Sequence, residues 1–216
     1  MQRLKANQMK LLAISDEVED WIYSPSLTRR CGDVDAVISC GDLPIHYLEF
    51  VASTLNKPCY YVRGNHDLYE VGDQGEIKSE PQVWINLDMR RLKFRAITLA
   101  GLEGCIRYKP SVPIQYTQGE QWIRSIWLAR KMLIQRNRKG YGVDVMVTHS
   151  PAFGIHDGPD RAHTGFEAFN WLIEKFKPRF LIHGHQHRNY APMQPAETTV
   201  GGTRVMNIQP YRIFEV

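Results

Sequence analysis

Cysteine is scarce in this chain. Cys31, Cys40, Cys59 and Cys105 are spread through 216 positions, and no two form a CxxC pair. So few in so long a chain exclude a disulfide framework and a structural thiolate zinc site; the four read as reduced core residues. Long hydrophobic runs are also missing, since no apolar stretch reaches the roughly 20 residues of a membrane-spanning helix. Residues Met1 to Gln8 lack the apolar segment of a secretory signal, so a cytoplasmic location with no membrane partner is expected. Neither sign of charge dominates. A net +4 with 23% charged residues is too mild and too dispersed for a nucleic-acid partner. The densest basic run, Arg130 to Lys139, falls on a predicted helix as a solvated face. Internal repeats and low-complexity linkers are absent. With 43% hydrophobic residues, the length suits one globular domain over residues 9–216 behind an N-terminal extension, residues 1–8.

What is present is a series of short apolar runs with polar residues at their tips. Lys10 to Ser15 reads as a buried strand stopping at Asp16; Asp35 to Cys40 ends at Gly41-Asp42; Cys59 to Arg63 ends at Gly64-Asn65-His66-Asp67. Helices are expected around Ser24 to Arg30 and Pro44 to Leu55. This is the alternation of a parallel sheet. Asp73 to Glu80 reads as a polar loop and Leu92 to Ala100 as one strand. Gly119 to Arg138 has apolar residues at three- and four-residue intervals, an amphipathic helix with Trp122 and Trp127 as core anchors. A strand at Val143 to Val147 runs into Thr148-His149, and a helix follows from Gly165 to about Lys175. Three short strands are expected at Thr198 to Val200, Thr203 to Ile208 and Tyr211 to Val216.

The stretch Leu181-Ile182-His183-Gly184-His185-Gln186-His187 carries the most chemistry. Three histidines occupy alternate positions after an apolar run, and alternate residues of an extended chain share a face. Gly184 signals a bend, leaving His185 and His187 at the end of a strand. That edge is where open α/β sheets keep their ligands, and neutral imidazole is the commonest metal-ligating side chain. Asp16, Asp42, Asn65, His66, His149, His185 and His187 all stand at strand ends. Oxygen and nitrogen donors without cysteine suit divalent zinc, manganese or iron.

Gly41-Asp42, Gly64-Asn65-His66-Asp67, Thr148-His149 and Gly184-His185-Gln186-His187, in that order, resemble the motif set of the calcineurin-like metallophosphoesterases, and the region from His149 to His187 resembles small bacterial phosphodiesterase-like members. The resemblance extends from Leu11 to the C-terminal strands. It implies an α/β fold, a four-layer αββα sandwich of two mixed sheets flanked by helices, with two divalent metals (Mn, Fe, Zn or Ni) at the strand ends. By the same resemblance Asp42 bridges the metals, Asn65, His149 and His185 hold one, Asp16 and His187 hold the other, and His66 is the catalytic histidine. The activity implied is hydrolysis of a small phosphodiester or phosphomonoester, diesters first, by metal-activated water with His66 protonating the leaving alcohol. Asp67 either orients or charges that imidazole, or caps the following turn.

One departure stands out. The family's first motif, Asp-x-His, reads Asp16-Glu17-Val18 here, and Val18 cannot coordinate. Either water fills the gap, Glu17 or Glu19 swings in, or the site is weak. The loss also keeps open a second class of function, a metal-poor protein-binding scaffold; a nuclease is a weaker third. Further polar residues are candidates for substrate contact or for supporting the ligands. Arg107, beside Tyr108, suits a phosphate oxygen through its planar fork. His156 and His163 lie in the loop between two ligand motifs. His183 reads as a supporting histidine and Asn207 as a marginal candidate.

Overall fold

Four consecutive apolar residues cannot be buried on one face of a strand, so Leu11-Leu12-Ala13-Ile14 demands cover on both. The computed structural model, which describes residues 8–72, 75–187 and 195–216, supplies it. Leu11 and Ala13 point into one apolar layer, and Leu12 and Ile14 into another.

The strands are β1 (Lys10–Ile14), β2 (Ala36–Ser39), β3 (Cys59–Tyr61), β4 (Glu70–Val71), β5 (Ile77–Lys78), β6 (Trp84–Asn86), β7 (Arg91–Phe94), β8 (Ile97–Leu102), β9 (Cys105–Ile106), β10 (Gln115–Tyr116), β11 (Val145–Thr148), β12 (Phe180–His183), β13 (Glu197–Val200), β14 (Thr203–Asn207) and β15 (Tyr211–Glu215). The helices are α1 (Ser26–Cys31), α2 (Ile45–Leu55), α3 (Gln118–Lys139) and α4 (Glu167–Phe176). One sheet has the order β15-β1-β2-β3-β6, and the other β13-β14-β12-β11-β8-β7. Each is parallel in its centre and antiparallel at an edge: β15 runs against β1, β13 against β14 and β7 against β8.

Between the sheets lies a core including Leu11, Ala13, Ile38, Val62, Val145, Val147 and Ile182. Leu12, Ile14 and Val37 pack with Leu27, Tyr47 and Val51 of α1 and α2. Met146 and Leu181 pack with Leu128, Phe169 and Leu172 of α3 and α4. The order is therefore helix, sheet, sheet, helix, the four-layer arrangement expected. All four cysteines are free and buried. No described helix is long and apolar enough to cross a membrane. Most of the expected N-terminal extension, residues 1–7, lies outside the described residues.

Three expectations are corrected. The single strand foreseen at Leu92 to Ala100 is a hairpin of β7 and β8, folded back at Arg95, which takes the left-handed conformation (φ 48). The polar loop at Asp73 to Glu80 contributes β5, paired with β4. Trp127 is not a core anchor: it is 54% exposed with Arg130 over its ring at 5.0 Å, whereas Trp122 is half-buried against Trp171. The buried face of α3 instead presents Gln121, Ser125, Leu128, Ala129, Met132 and Gln135. Glutamine and serine on that face, and isoleucine on the other, defeat a reading by hydrophobic period. The helix begins as expected of a strong signal, with a Thr117–Glu120 capping box, and ends at Gly140 in the left-handed region.

Asp144 ties the second sheet together below the site. Its carboxylate accepts from Thr98 N (2.9 Å), Thr98 Oγ1 (2.8 Å) and Arg179 Nη1 (3.2 Å). Burial alone would push its pKa up, but the hydrogen bonds from Thr98 hold it below the ordinary value. A carboxylate with a depressed folded-state pKa stabilises the fold above its unfolded value of about 3.9 and loses that contribution as the pH falls. Asp144→Asn is therefore expected to lower stability by about 2 kcal/mol at pH 7, with the gap to the parent closing towards pH 2–3 in thermal melts. A gap that stays constant with pH contradicts this assignment.

Candidate metal centre

The tips of β1, β2 and β3 in one sheet and of β11 and β12 in the other meet at one end of the sandwich. The backbone turns sharply there: Asp16 (φ 66), Asp42 (φ 56) and His185 (φ 66) are left-handed without being glycine, and Gly41 stands at φ 98. Strained backbone of this kind persists only where the surroundings enforce it, and it gathers at functional sites. Space is tight as well. A Cβ on Gly64 would lie 2.0 Å from Asp42 Oδ1 and 2.7 Å from His149 Cε1, and one on Gly184 would lie 1.9 Å from Ser15 Oγ and 2.2 Å from Asp16 Oδ2. Glycine at these positions lets neighbouring loops touch.

Asp42, His149 and His185 each bring one donor atom within 4.8 Å of the others, and Asn65 joins them. His149 Nδ1 lies 2.8 Å from the Cys40 carbonyl, so it donates there and turns Nε2 inward. His185 Nε2 lies 2.8 Å from the Ala162 carbonyl, which leaves Nδ1 bare. His149 Nε2 then has Asn65 Oδ1 and His185 Nδ1 at 3.1 Å each and Asp42 Oδ2 at 3.3 Å. Four lone pairs point at one place. A proton on Nε2 satisfies one of them, whereas a divalent cation satisfies all four. The electrostatics follow: although burial opposes it, Asp42 pushes the His149 pKa up to about 9. Burial pushes His185 down to about 3, keeping it a neutral imidazole. The residues fit a divalent metal with nitrogen and oxygen ligands.

Asp16 stands next to this group. Its two oxygens accept from the His185 N–H at 3.0 Å each, and burial and the nearby Asp42 charge raise its pKa against the opposing pull of His149. His187 is half-buried. Neither belongs to the tight cluster among the described residues. Val18 is 37% exposed, and Glu17, considered as its replacement, instead accepts from Gln209 Nε2 at 2.9 Å. His66 donates its backbone N–H to Asp42 Oδ1 (2.8 Å), and its side chain is exposed beside the cluster.

Asp67 is tied to backbone amides. Its carboxylate accepts from the N–H groups of Asp42 (2.8 Å), Gly64 (2.8 Å) and Leu43 (3.1 Å), so it buckles the β2 and β3 loops together. Burial and the neighbouring Asp42 push its pKa up to about 7. The Arg107 guanidinium donates to the Gln115 carbonyl and to Glu120, a structural use of part of its fork. His156 and His183 form a buried relay behind the turn, with His156 Nδ1 3.0 Å from His183 Nε2, His156 Nε2 2.8 Å from Thr198 Oγ1, and His183 Nδ1 2.9 Å from the Gly184 carbonyl. His163 stacks near His185 (centroids 5.1 Å apart) and pairs with Asp160. Asn207 donates to the Gln186 carbonyl at 2.8 Å. The residue that sequence reasoning passed over is Tyr108. Its hydroxyl lies 3.3 Å from Asn65 Nδ2 and so orients the amide with Oδ1 towards His149. Its only signal in the sequence is its place beside Arg107.

The calcineurin-like phosphoesterase profile matches residues 9–189. Among solved structures, one crystal structure is similar with TM-score 0.62 and 15% identity, covering 97% of this chain and 95% of that one. A conserved uncharacterized protein from Streptococcus pneumoniae TIGR4, described as a predicted phosphoesterase, is 15% identical over 97% of this chain and 84% of its own, with TM-score 0.39. A Vps29 variant from Entamoeba histolytica is 14% identical over 92% and 73%, with TM-score 0.37. No protein of curated function matches the sequence. With the matched region spanning every strand tip that forms the cluster, the chain belongs to the calcineurin-like phosphoesterase family.

Proposed function

We propose that the chain is a metal-dependent phosphodiesterase in which Asp42, Asn65, His149 and His185 hold one divalent metal, Asp16 and His187 with Asp42 take a second, and His66 protonates the leaving alcohol. The observation that carries this reading is the convergence of four lone pairs on one point beside His66. Divalent metals bound there would supply a hydrolytic nucleophile at neutral pH and offset phosphoryl charge. The chain's own residues do the rest. The Cys40 and Ala162 carbonyls fix which nitrogen of His149 and of His185 faces inward. The Asp42–His66 backbone bond sets where the imidazole can reach, and Asp67 holds both loops in register.

Loading the purified protein in turn with Mn, Zn, Ni and Fe and assaying an aryl phosphodiester and monoester tests the reading. His66→Ala is expected to lower kcat by about 10²–10⁴-fold. No hydrolysis with any metal, or full activity without His66, overturns it. Val18 favours a second reading, a protein-binding scaffold of the same fold. That reading requires well under one equivalent of bound metal and no gain from Val18→His.

Tyr108→Phe keeps the ring and removes the hydroxyl that orients Asn65. A supporting bond of this kind is worth about 10-fold in metal affinity, measurable by competition with a chelating fluorophore. An unchanged affinity removes Tyr108 from the site.

A further inference from the structure

A cavity of about 250 Å³ opens beside His66 and Asp42. Much of its wall is apolar: Leu43, Ile45 and Leu48 around the first turns of α2, Tyr61 of β3, then Leu68 and Pro81. The charged side chains that border it are already engaged. Glu70 accepts from the N–H groups of Ile45 (2.5 Å) and His46 (3.3 Å) at the start of α2. Arg63 pairs with Glu103 at 2.8 Å, and Asp67 is held by three backbone amides. The space lies just under the ~300–1,000 Å³ of most small-molecule pockets, room for a single ring or a branched alkyl group rather than a whole nucleotide. A carboxylate entering it would shed water beside the acidic Asp67 and Glu70, with Arg63 already bound to Glu103.

We propose that this cavity receives the leaving alcohol of the phosphoester and restricts the substrates to esters of uncharged aromatic or apolar alcohols. The inference rests on the phosphoesterase reading and adds the substrate class. In the step concerned, a water oxygen bonds to phosphorus as the ester P–O bond breaks. The electron pair leaves with the alcohol oxygen, which takes a proton from His66, and the released alcohol is the group in the cavity. His66 borders both the cavity and the Asp42 loop, so a proton donor and an apolar receptacle sit on the same side of the reacting phosphorus.

Methyl 4-nitrophenyl phosphate and methyl 3-carboxy-4-nitrophenyl phosphate test this, because their leaving groups are similar phenols that differ by one carboxylate. The metal-loaded protein is expected to favour the uncharged ester by about 100-fold in kcat/KM. Leu68→Lys, at a position 37% exposed, and Tyr69→Lys, at one 63% exposed that also borders the cavity, place a cation at the rim without disturbing the core. Each is expected to shrink the preference to about 10-fold or less. A second readout needs no turnover: phenol, neutral at pH 7, is expected to shift the methyl resonances of Ile45 and Leu48, and 3-hydroxybenzoate to leave them in place. Equal rates on the two esters, or a preference untouched in both lysine variants, overturn the cavity's role while the phosphoesterase reading stands. Hydrolysis of neither ester with any metal overturns that reading and this inference with it.

Discussion

Under the proposed phosphodiesterase function, replacing Asp42 with asparagine is expected to reduce hydrolysis by at least about 10³-fold, roughly 4 kcal/mol of lost transition-state stabilisation. The reason is charge rather than shape. Asparagine still offers an oxygen to the His66 N–H, but it removes the one carboxylate that faces His149 Nε2 across 3.3 Å. Asp42 is held low, at about 2, because His149 beside it outweighs the cost of burial. In the variant, His149 can go neutral, and Asp16 and Asp67 both lose a repelling neighbour. The fold should therefore survive: in chelator, the melting temperature is expected to move by no more than about 4 °C, the equivalent of ~1 kcal/mol in a chain of this size. Metal content measured by mass spectrometry should fall together with the activity. A variant that keeps both its metal and its rate places the chemistry elsewhere.

The largest effect on stability is expected from Gly41→Ala. Gly41 sits at φ +98, and a Cβ there would meet Gly64 N at 2.3 Å, Gly64 Cα at 2.8 Å and Arg63 C at 2.9 Å. These are backbone atoms of the neighbouring loop, so no side chain can swing aside. Left-handed strain costs about 1–2 kcal/mol, and prising the loops apart brings the expected total to about 3 kcal/mol or more. That corresponds to a melting point lower by about 6–12 °C. Gly201→Ala is the matched control, because Gly201 also has positive φ (+56) but nothing within 4 Å of a built Cβ. Its cost should be the strain alone, about 1 kcal/mol. Equal losses in the two variants would mean that the contact between the β2 and β3 loops contributes nothing.

The parts of this molecule legible in the sequence are those whose signals are local. Leu11 to Ile14 announces a strand covered on both faces because every residue in it is apolar. Asp42, Asn65, His149 and His185 announce themselves because each ends such a strand and because together they match a motif set. Other features depend on partners far along the chain. Asp67 reads as a helper of its neighbour His66, yet its carboxylate is used by the amides of Asp42 and Leu43, about 25 residues earlier. Arg107 reads as suited to a phosphate oxygen, and only the fold brings Gln115 and Glu120 to its Nε and Nη2. Trp127 reads as core because tryptophan usually is, but the docking angle of α3 turns Gln121 and Ser125 inward instead. Glu17 stands where a ligand is missing, and only the fold brings Gln209 to it. Backbone acceptors such as the Cys40 and Ala162 carbonyls leave no mark in a sequence, though they decide which histidine nitrogens face the cluster.

The cluster draws on both sheets: His149 reaches across to Cys40, and His185 to Asp16. An ion seated there would act as a rivet through one end of the sandwich, with Asp42 and Asn65 on one plate and His149 and His185 on the other. Stripping it should therefore loosen both plates at once. Amide hydrogen exchange at the tips of β1, β2, β11 and β12 would then quicken together, as a single hinge opening rather than as separate fraying loops.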